Sequence, residues 1–204
     1  MNALLDQLQI QTFALYVTDI GGAIGYRVML KRPGRMTALI AQNAPSYRAP
    51  IPFFKDLAPY WKDGSAQSRQ NARVYLQPEA IKRLYLFGVK DSSQIDPDNW
   101  LVDNYLLSRP GLDEINLDVL YDIRNDRPVL AAAQEYFRAH DPATLIVTGA
   151  NDEVFSGGYM KKYLDFLPNA EFHLLDTGHF ALEDHGDEIA SLMQEFLPRA
   201  LKAV

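Results

Sequence analysis

Apolar residues along the chain follow two alternating patterns. TFALYV (12–17) is a β-branched and aromatic run, the profile of a strand buried on both faces, and MTALIAQ (36–42), TLIVTG (144–149) and FHLLD (172–176) are further short, largely apolar runs that read as buried strands. Between them the apolar spacing widens to the helical period, in AIGYRVMLKR (23–32) before Pro33-Gly34 and in VLAAAQEYFRAH (129–140). Ser156 to Leu167 and Glu183 to Leu201 are two further helix predictions, and Leu4, Leu5 and Leu8 mark a short amphipathic helix at the start. The last helix opens on Glu183, Asp184, Asp187 and Glu188, the charge sign that a helix N-terminus favours.

Residues 44 to 128 break this alternation. They hold both tryptophans and most of the prolines, and contain no convincing buried strand. Gly and Pro signals divide them into helix-length pieces at Pro52–Lys62, Ser65–Tyr75, Pro78–Phe87, Asp96–Leu107 and Asp113–Arg124. Four buried strands alternating with helices predict a parallel sheet flanked by helices. The expected organisation is therefore an α/β core formed by residues 1–43 and 129–204, with residues 44–128 inserted as a helical cap.

Composition narrows the chemistry. The 204 residues are 48% hydrophobic, enough for a substantial core, and carry a net charge of −6 with no basic stripe, which argues against a nucleic-acid surface. With no cysteine, disulfides, thiolate nucleophiles and zinc-thiolate sites are excluded. No histidine pair stands at i, i+4, and no carboxylate spacing suggests metal ligands, so neither a metal nor a cofactor is expected. The N-terminus lacks a signal-peptide pattern, and no apolar run is long enough to span a membrane; cytoplasmic localisation is the expectation.

In open parallel sheets the chemistry lies beyond the carboxyl ends of the strands. Those ends carry Asp19, then Gln42-Asn43, then Asn151-Asp152, then Asp176 to His179. An aspartate can attack carbon to form an ester. A histidine can activate the water that cleaves it, and a second carboxylate can fix that histidine's tautomer. Taken singly, Asp19 also reads as a helix N-cap, Asp152 as a turn residue and His179 as a loop histidine bonded to backbone. Their joint placement, each just past an expected strand, favours a triad. His140, His173 and His185 do not follow a strand. A dinucleotide-binding turn is excluded because Ile20 stands where the first glycine of G-x-G-x-x-G belongs and the next strand ends in amides.

Val17, Asp19, Gly21 and Gly22, in YVTDIGGAIG, together with TLIVTGANDEVF and HLLDTGHFALEDH, resemble the nucleophile, acid and histidine segments of the α/β-hydrolase fold, in its haloalkane dehalogenase and epoxide hydrolase group. The resemblance implies Asp19 as nucleophile, Asp152 as triad acid, His179 as base and the Ile20 backbone N–H as an oxyanion-hole donor, with Gly21 and Gly22 allowing the elbow its tight turn. It implies hydrolysis of a small, largely apolar substrate, with no cofactor. Two positions depart from that group: Ile20 replaces the tryptophan that holds a leaving halide, and Ile123, in LYDIRN, replaces a cap tyrosine that protonates an epoxide. Tyr121, two residues away, should point elsewhere.

The same resemblance places Asp19 unusually early, after room for one helix, and no His-Gly motif precedes it to supply a second oxyanion donor. The chain thus resembles the C-terminal two-thirds of the fold, a partial α/β-hydrolase. TFALYV would then be an open sheet edge, available to a second copy or a partner chain. The alternative function is a non-catalytic hydrolase-fold protein, or one half of a split hydrolase, acting through partner binding.

Overall fold

A computed structural model describes residues 1–47 and 49–202. Residue 48 of the expected cap and residues 203–204 of the expected core lie outside the described residues. The strands β1 (Phe13–Thr18), β2 (Met36–Gln42), β3 (Ala143–Gly149) and β4 (Glu171–Leu175) form one parallel sheet in the order β1-β2-β3-β4. The helices are α1 (Asn2–Gln7), α2 (Gly21–Leu30), α3 (Ala58–Asp63), α4 (Ala66–Ala72), α5 (Pro78–Leu86), α6 (Pro97–Leu107), α7 (Leu112–Asp122), α8 (Arg127–His140), α9 (Gly157–Met160) and α10 (Leu182–Lys202).

The pleat of the two central strands builds a core on each side of the sheet. Leu39, Ala41 and Ile146 point to one face, where they join Tyr26 and Met29 of α2 and Leu130 and Phe137 of α8. Ala38, Ile40, Leu145 and Val147 point to the other and meet Ile189, Phe196 and Ala200 of α10. This is the period-2 division that a strand covered on both faces requires.

Both edge strands depart from the expectation of two buried faces: in β4 Leu174 is exposed and only Leu175 is buried, and β1 is open along one face. Ala14, Tyr16 and Thr18 are exposed, because α2 covers only the opposite side, where Val17 is buried. Helix α1 likewise buries none of its residues. It is tied down by polar contacts instead, with Arg32 Nε donating to Asn2 Oδ1 at 2.6 Å.

Three predicted helices are shorter than expected, among them Ser65–Tyr75, where α4 ends at Ala72 and passes into a 3-10 turn over Arg73–Leu76. The stretch from Pro52 forms one 3-10 turn (Pro52–Phe54) before α3 begins, since Pro59 suits the first turn of a new helix and would break the interior of a longer one. From Ser156 the chain makes the short α9, capped by Ser156 Oγ accepting the Tyr159 N–H at 3.3 Å, and then a 3-10 turn over Lys161–Asp165. The Gly157-Gly158 pair at its start lowers its helical propensity. All five helices α3 to α7 lie between β2 and β3 in the chain. Among the described residues no helix is long and apolar enough to cross a membrane.

Candidate active site

The chain turns from β1 into α2 through Asp19, whose φ of +42° lies in the left-handed region. Aspartate tolerates that region better than most side chains, and residues held there in a strained turn cluster at functional sites. The turn is held from both ends: Asp19 N–H donates to the Asn43 carbonyl at 3.0 Å, and Asp19 carbonyl accepts the Gly22 N–H at 2.9 Å. The steric need for glycine falls on Gly22, where a Cβ would stand 2.9 Å from Pro45 Cδ, and on Gly25, where it would stand 2.6 Å from Val17 Cγ1. Gly21, expected to share that need, has nothing within 4 Å of where a Cβ would stand.

The three residues expected to act together do meet. His179 Nδ1 lies 3.0 Å from Asp152 Oδ2, and His179 Nε2 lies 3.5 Å from Asp19 Oδ2. Asp152 is held from two further directions, by the Val154 N–H to Oδ1 at 2.7 Å and by the Asn43 carboxamide N–H to Oδ2 at 2.7 Å. The Asp152 side chain is fully buried and that of His179 nearly so, whereas Asp19 is 40% exposed. The pair that would orient and relay protons is thus shielded, and the group that would meet substrate is accessible.

Burial by itself disfavours a charged imidazole, but hydrogen bonds and Coulombic attraction to Asp152 and Asp19 outweigh it and raise the His179 pKa from 6.5 to about 10. Burial also pushes against the Asp152 carboxylate, yet His179, Asn43 and Val154 together hold it below the usual range. A raised histidine pKa contributes stability that is complete below the unfolded value and is lost as pH climbs to the folded one. The thermal midpoint of the protein is therefore expected to fall between pH 6.5 and about 10, and a His179→Gln variant should lose this component. Melts of both proteins across that window test it; parallel curves would mean that His179 does not carry the charge.

Above Asp19 lies an apolar cavity of about 100 Å³, walled by Ile20, Phe54, Leu84, Ile123 and Val154, with His179 at its base. A smaller cavity of about 30 Å³ adjoins it across Phe54 and Ile123, reaching Phe155 and Tyr159. Ile123 lines both, while Tyr121 is stacked on Tyr60 with ring centroids 4.5 Å apart, as their spacing on a helix predicts. Two of the cavity tyrosines have hydroxyls turned to backbone: Tyr75 donates to the Phe53 carbonyl at 2.6 Å, and Tyr159 to that of Tyr47, which lines the smaller cavity itself. Trp61 directs its indole N–H to the Leu120 carbonyl at 2.7 Å.

Of the other histidines, His140 Nδ1 sits 2.9 Å from the Tyr136 carbonyl and its ring stacks on Tyr136. His185 marks a kink in α10. Among the described residues no cluster of three or more His, Cys, Asp or Glu side chains could hold a metal ion. Asn43 is the residue whose part in the site the sequence left unassigned. Its position at a strand end was the available signal, but only the fold brings it to Asp152.

Comparison with known proteins agrees with this architecture. Residues 1–186 match the alpha/beta hydrolase fold family. The chain is 33% identical over 201 residues to the uncharacterized hydrolase YNR064C of Saccharomyces cerevisiae, covering 94% of this chain and 69% of that protein. It is 24% identical over 223 residues to a cis-3-alkyl-4-alkyloxetan-2-one decarboxylase of Shewanella oneidensis, covering 97% of this chain and 64% of the relative. Among solved structures, haloalkane dehalogenase DbeA from Bradyrhizobium elkani superposes with a TM-score of 0.77 at 17% identity, over 100% of this chain and 72% of that one. The meta-cleavage product hydrolase CumD from Pseudomonas fluorescens gives 0.71 at 19% identity, over 97% and 68%. The chain therefore spans about two thirds of the length of the proteins it resembles. With its parallel sheet, its strand-end acid and histidine, and the family match across most of its residues, this chain belongs to the α/β-hydrolase fold family.

Proposed function

We infer that the chain is a hydrolase acting through a covalent ester on Asp19, on a small and largely apolar substrate of the kind that haloalkane dehalogenases and epoxide hydrolases take. One observation carries this reading: a carboxylate on a strained turn faces an apolar cavity and also meets a buried histidine-carboxylate pair. The solved neighbours include both dehalogenases and a serine hydrolase, so fold likeness alone does not choose the nucleophile. The choice rests on aspartate occupying the elbow.

In the resting state His179 is protonated and bridges Asp19 and Asp152. Attack by Asp19 Oδ on an electrophilic carbon forms the alkyl ester and expels the leaving group. Esterification removes one of the two negative charges beside His179, so its proton affinity falls. That proton passes to the alkoxide of an opened epoxide, or to solvent when the leaving group is a halide. The imidazole then deprotonates a water that attacks Asp19 Cγ, and collapse of the tetrahedral intermediate breaks the ester C–O bond as the departing alkoxide takes the proton back from His179. The Ile20 N–H, at the N-cap of α2, is the donor that this reading assigns to the tetrahedral oxyanion. Residues 44–128 serve as a cap that walls the cavity, over a core of residues 1–43 and 129–204.

The substrate classes to test are alkyl halides, epoxides, small esters and, given the oxetanone named for the Shewanella relative, a strained four-membered lactone. A single turnover in ¹⁸O-labelled water is expected to leave the label in the Asp19 carboxylate, because water attacks Cγ rather than the substrate carbon. Turnover with label only in the product, and none in Asp19 after repeated cycles, would rule out the ester. Halide release against diol formation separates the first two classes.

A second reading has its own observation. The exposed face and open edge of β1, with Tyr16 38% exposed, suit a second copy or a partner chain, as in a non-catalytic or split hydrolase. Under that reading the solution mass exceeds one chain, and substitution of Tyr16 by lysine lowers it.

A further inference from the structure

We propose that Asn43 is a positioning residue that ties the nucleophile turn, the triad acid and the histidine loop into one unit. The proposal rests on the Asp19–His179–Asp152 reading for its catalytic consequence, though not for its structural one. Asn43 follows β2 and is fully buried. Its φ of +41° lies in the same left-handed region as that of Asp19, and the two turns stand side by side on neighbouring strands. Its carbonyl accepts the Asp19 N–H at 3.0 Å, and its own N–H donates to the Val147 carbonyl of β3 at 3.3 Å.

The side chain completes the tie. The Nδ2 group donates to Asp152 Oδ2 at 2.7 Å, the same oxygen that faces His179 Nδ1, and lies 3.5 Å from the Gly178 carbonyl. The carboxamide oxygen is buried and has no hydrogen-bond partner among the described residues. Leaving a buried acceptor unpaired is costly, so the side chain is not there for its own satisfaction. Turning the amide over would bring its oxygen against the Asp152 carboxylate, which fixes Nδ2 as the group facing the acid. The titratable groups joined in this cluster are Asp19, Asp152 and His179.

Removing the amide donor takes from a buried carboxylate one of the bonds that stabilise its charge and hold its plane. Asp152 then orients the imidazole less well. The step that suffers is the one in which His179 acts as base, while attack by Asp19 needs no proton transfer to His179.

Two variants separate this role from simple packing. Asn43→Gly keeps the left-handed backbone accessible and deletes the amide. Asn43→Asp keeps the shape, and its carboxyl can donate to Asp152 only while protonated. The first readout is the downfield proton resonance of His179 Nδ1–H, assigned by its absence in His179→Ala, which requires no substrate. The resonance is expected to weaken in Asn43→Gly. In Asn43→Asp it should stay close to its original position at low pH and shift as the introduced carboxyl ionises and ceases to donate to Asp152.

The second readout is kinetic, with ester formation and ester hydrolysis followed separately on a turned-over substrate. Hydrolysis is expected to slow about 10- to 100-fold in Asn43→Gly, with formation much less affected. A resonance unchanged in both variants overturns the proposal, whether or not the protein turns over any substrate. Equal slowing of both steps also overturns it, by showing a merely structural role. Absence of ester with the resonance responding as expected counts instead against the catalytic reading.

Discussion

Replacing His179 with alanine is expected to let the first half of the reaction proceed and to stop the second, so that the substrate's carbon skeleton accumulates on Asp19. In the proposed mechanism the first step is made by the Asp19 carboxylate, which is 40% exposed and stays in place because its turn is held by backbone bonds to Asn43 and Gly22. Deleting His179 also removes a cation 3.5 Å from that carboxylate, which leaves the oxygen freer to attack. The second step loses its positioned base, and general base catalysis is typically worth about 10²- to 10⁴-fold. Asp152 keeps the Asn43 and Val154 donors in the variant, so the acid loop should hold its shape. Intact-mass measurement during turnover, followed by peptide mapping, should find one added group per chain on the peptide carrying Asp19. Rapid turnover by the variant, with no mass increase, would show that a different group hydrolyses the substrate. Asp19→Ala in the same background should abolish the added mass.

The second large effect is expected from Gly149→Ala at the end of β3. A Cβ there would stand 2.0 Å from the Gly178 carbonyl oxygen and 2.6 Å from that of Thr177. Both obstacles are backbone, so no side-chain rotation can relieve them. The loop carrying His179 must move to make room, and that loop is also bonded to the acid loop through Asn151 N–H to the Thr177 carbonyl at 3.0 Å. Overpacking of this kind costs on the order of 3 kcal/mol, which in a domain of this size lowers the thermal midpoint by roughly 10 °C. The contact of His179 with Asp152 should loosen with it. Gly158→Ala is the control, since a Cβ at Gly158 meets nothing within 4 Å. Melting curves and the His179 Nδ1–H resonance of the two variants test this; similar behaviour of both would mean that the Gly149 contact yields without cost.

Much of the fold was legible in the sequence because its signals are local. Each of the four strands is a short, largely apolar run, and a parallel connection needs a crossover, usually a helix, between strands. The pattern of β2 and β3, apolar at nearly every position, announced burial on both faces. Candidate chemistry was legible for a related reason: in a parallel sheet the strand ends converge on one rim, so a list of strand ends is a list of neighbours. Asp19, Asp152 and His179 are far apart in sequence and yet required no contact map to be grouped.

What failed was whatever depends on which elements cover which. TFALYV reads by its own pattern as buried on both faces, and only the family resemblance put it at an open edge; among the described residues β1 has a partner on one side only and one face exposed. The leucines of α1 form an apolar stripe that no other element buries. Gly21 and Gly22 look alike in sequence, whereas the approach of Pro45 makes only Gly22 indispensable.

The sequence by itself therefore determined the strand-helix alternation, the all-helical insertion and the residue types at the sheet's rim, since each follows from local periodicity and chain order. Tertiary structure alone decided that Asn43 bonds to Asp152, that β1 leaves one face exposed, and that contact with two carboxylates outweighs burial and raises the His179 pKa. Those outcomes are set by short contacts between residues far apart in the chain, or by the burial of one group among others, and no local pattern encodes either.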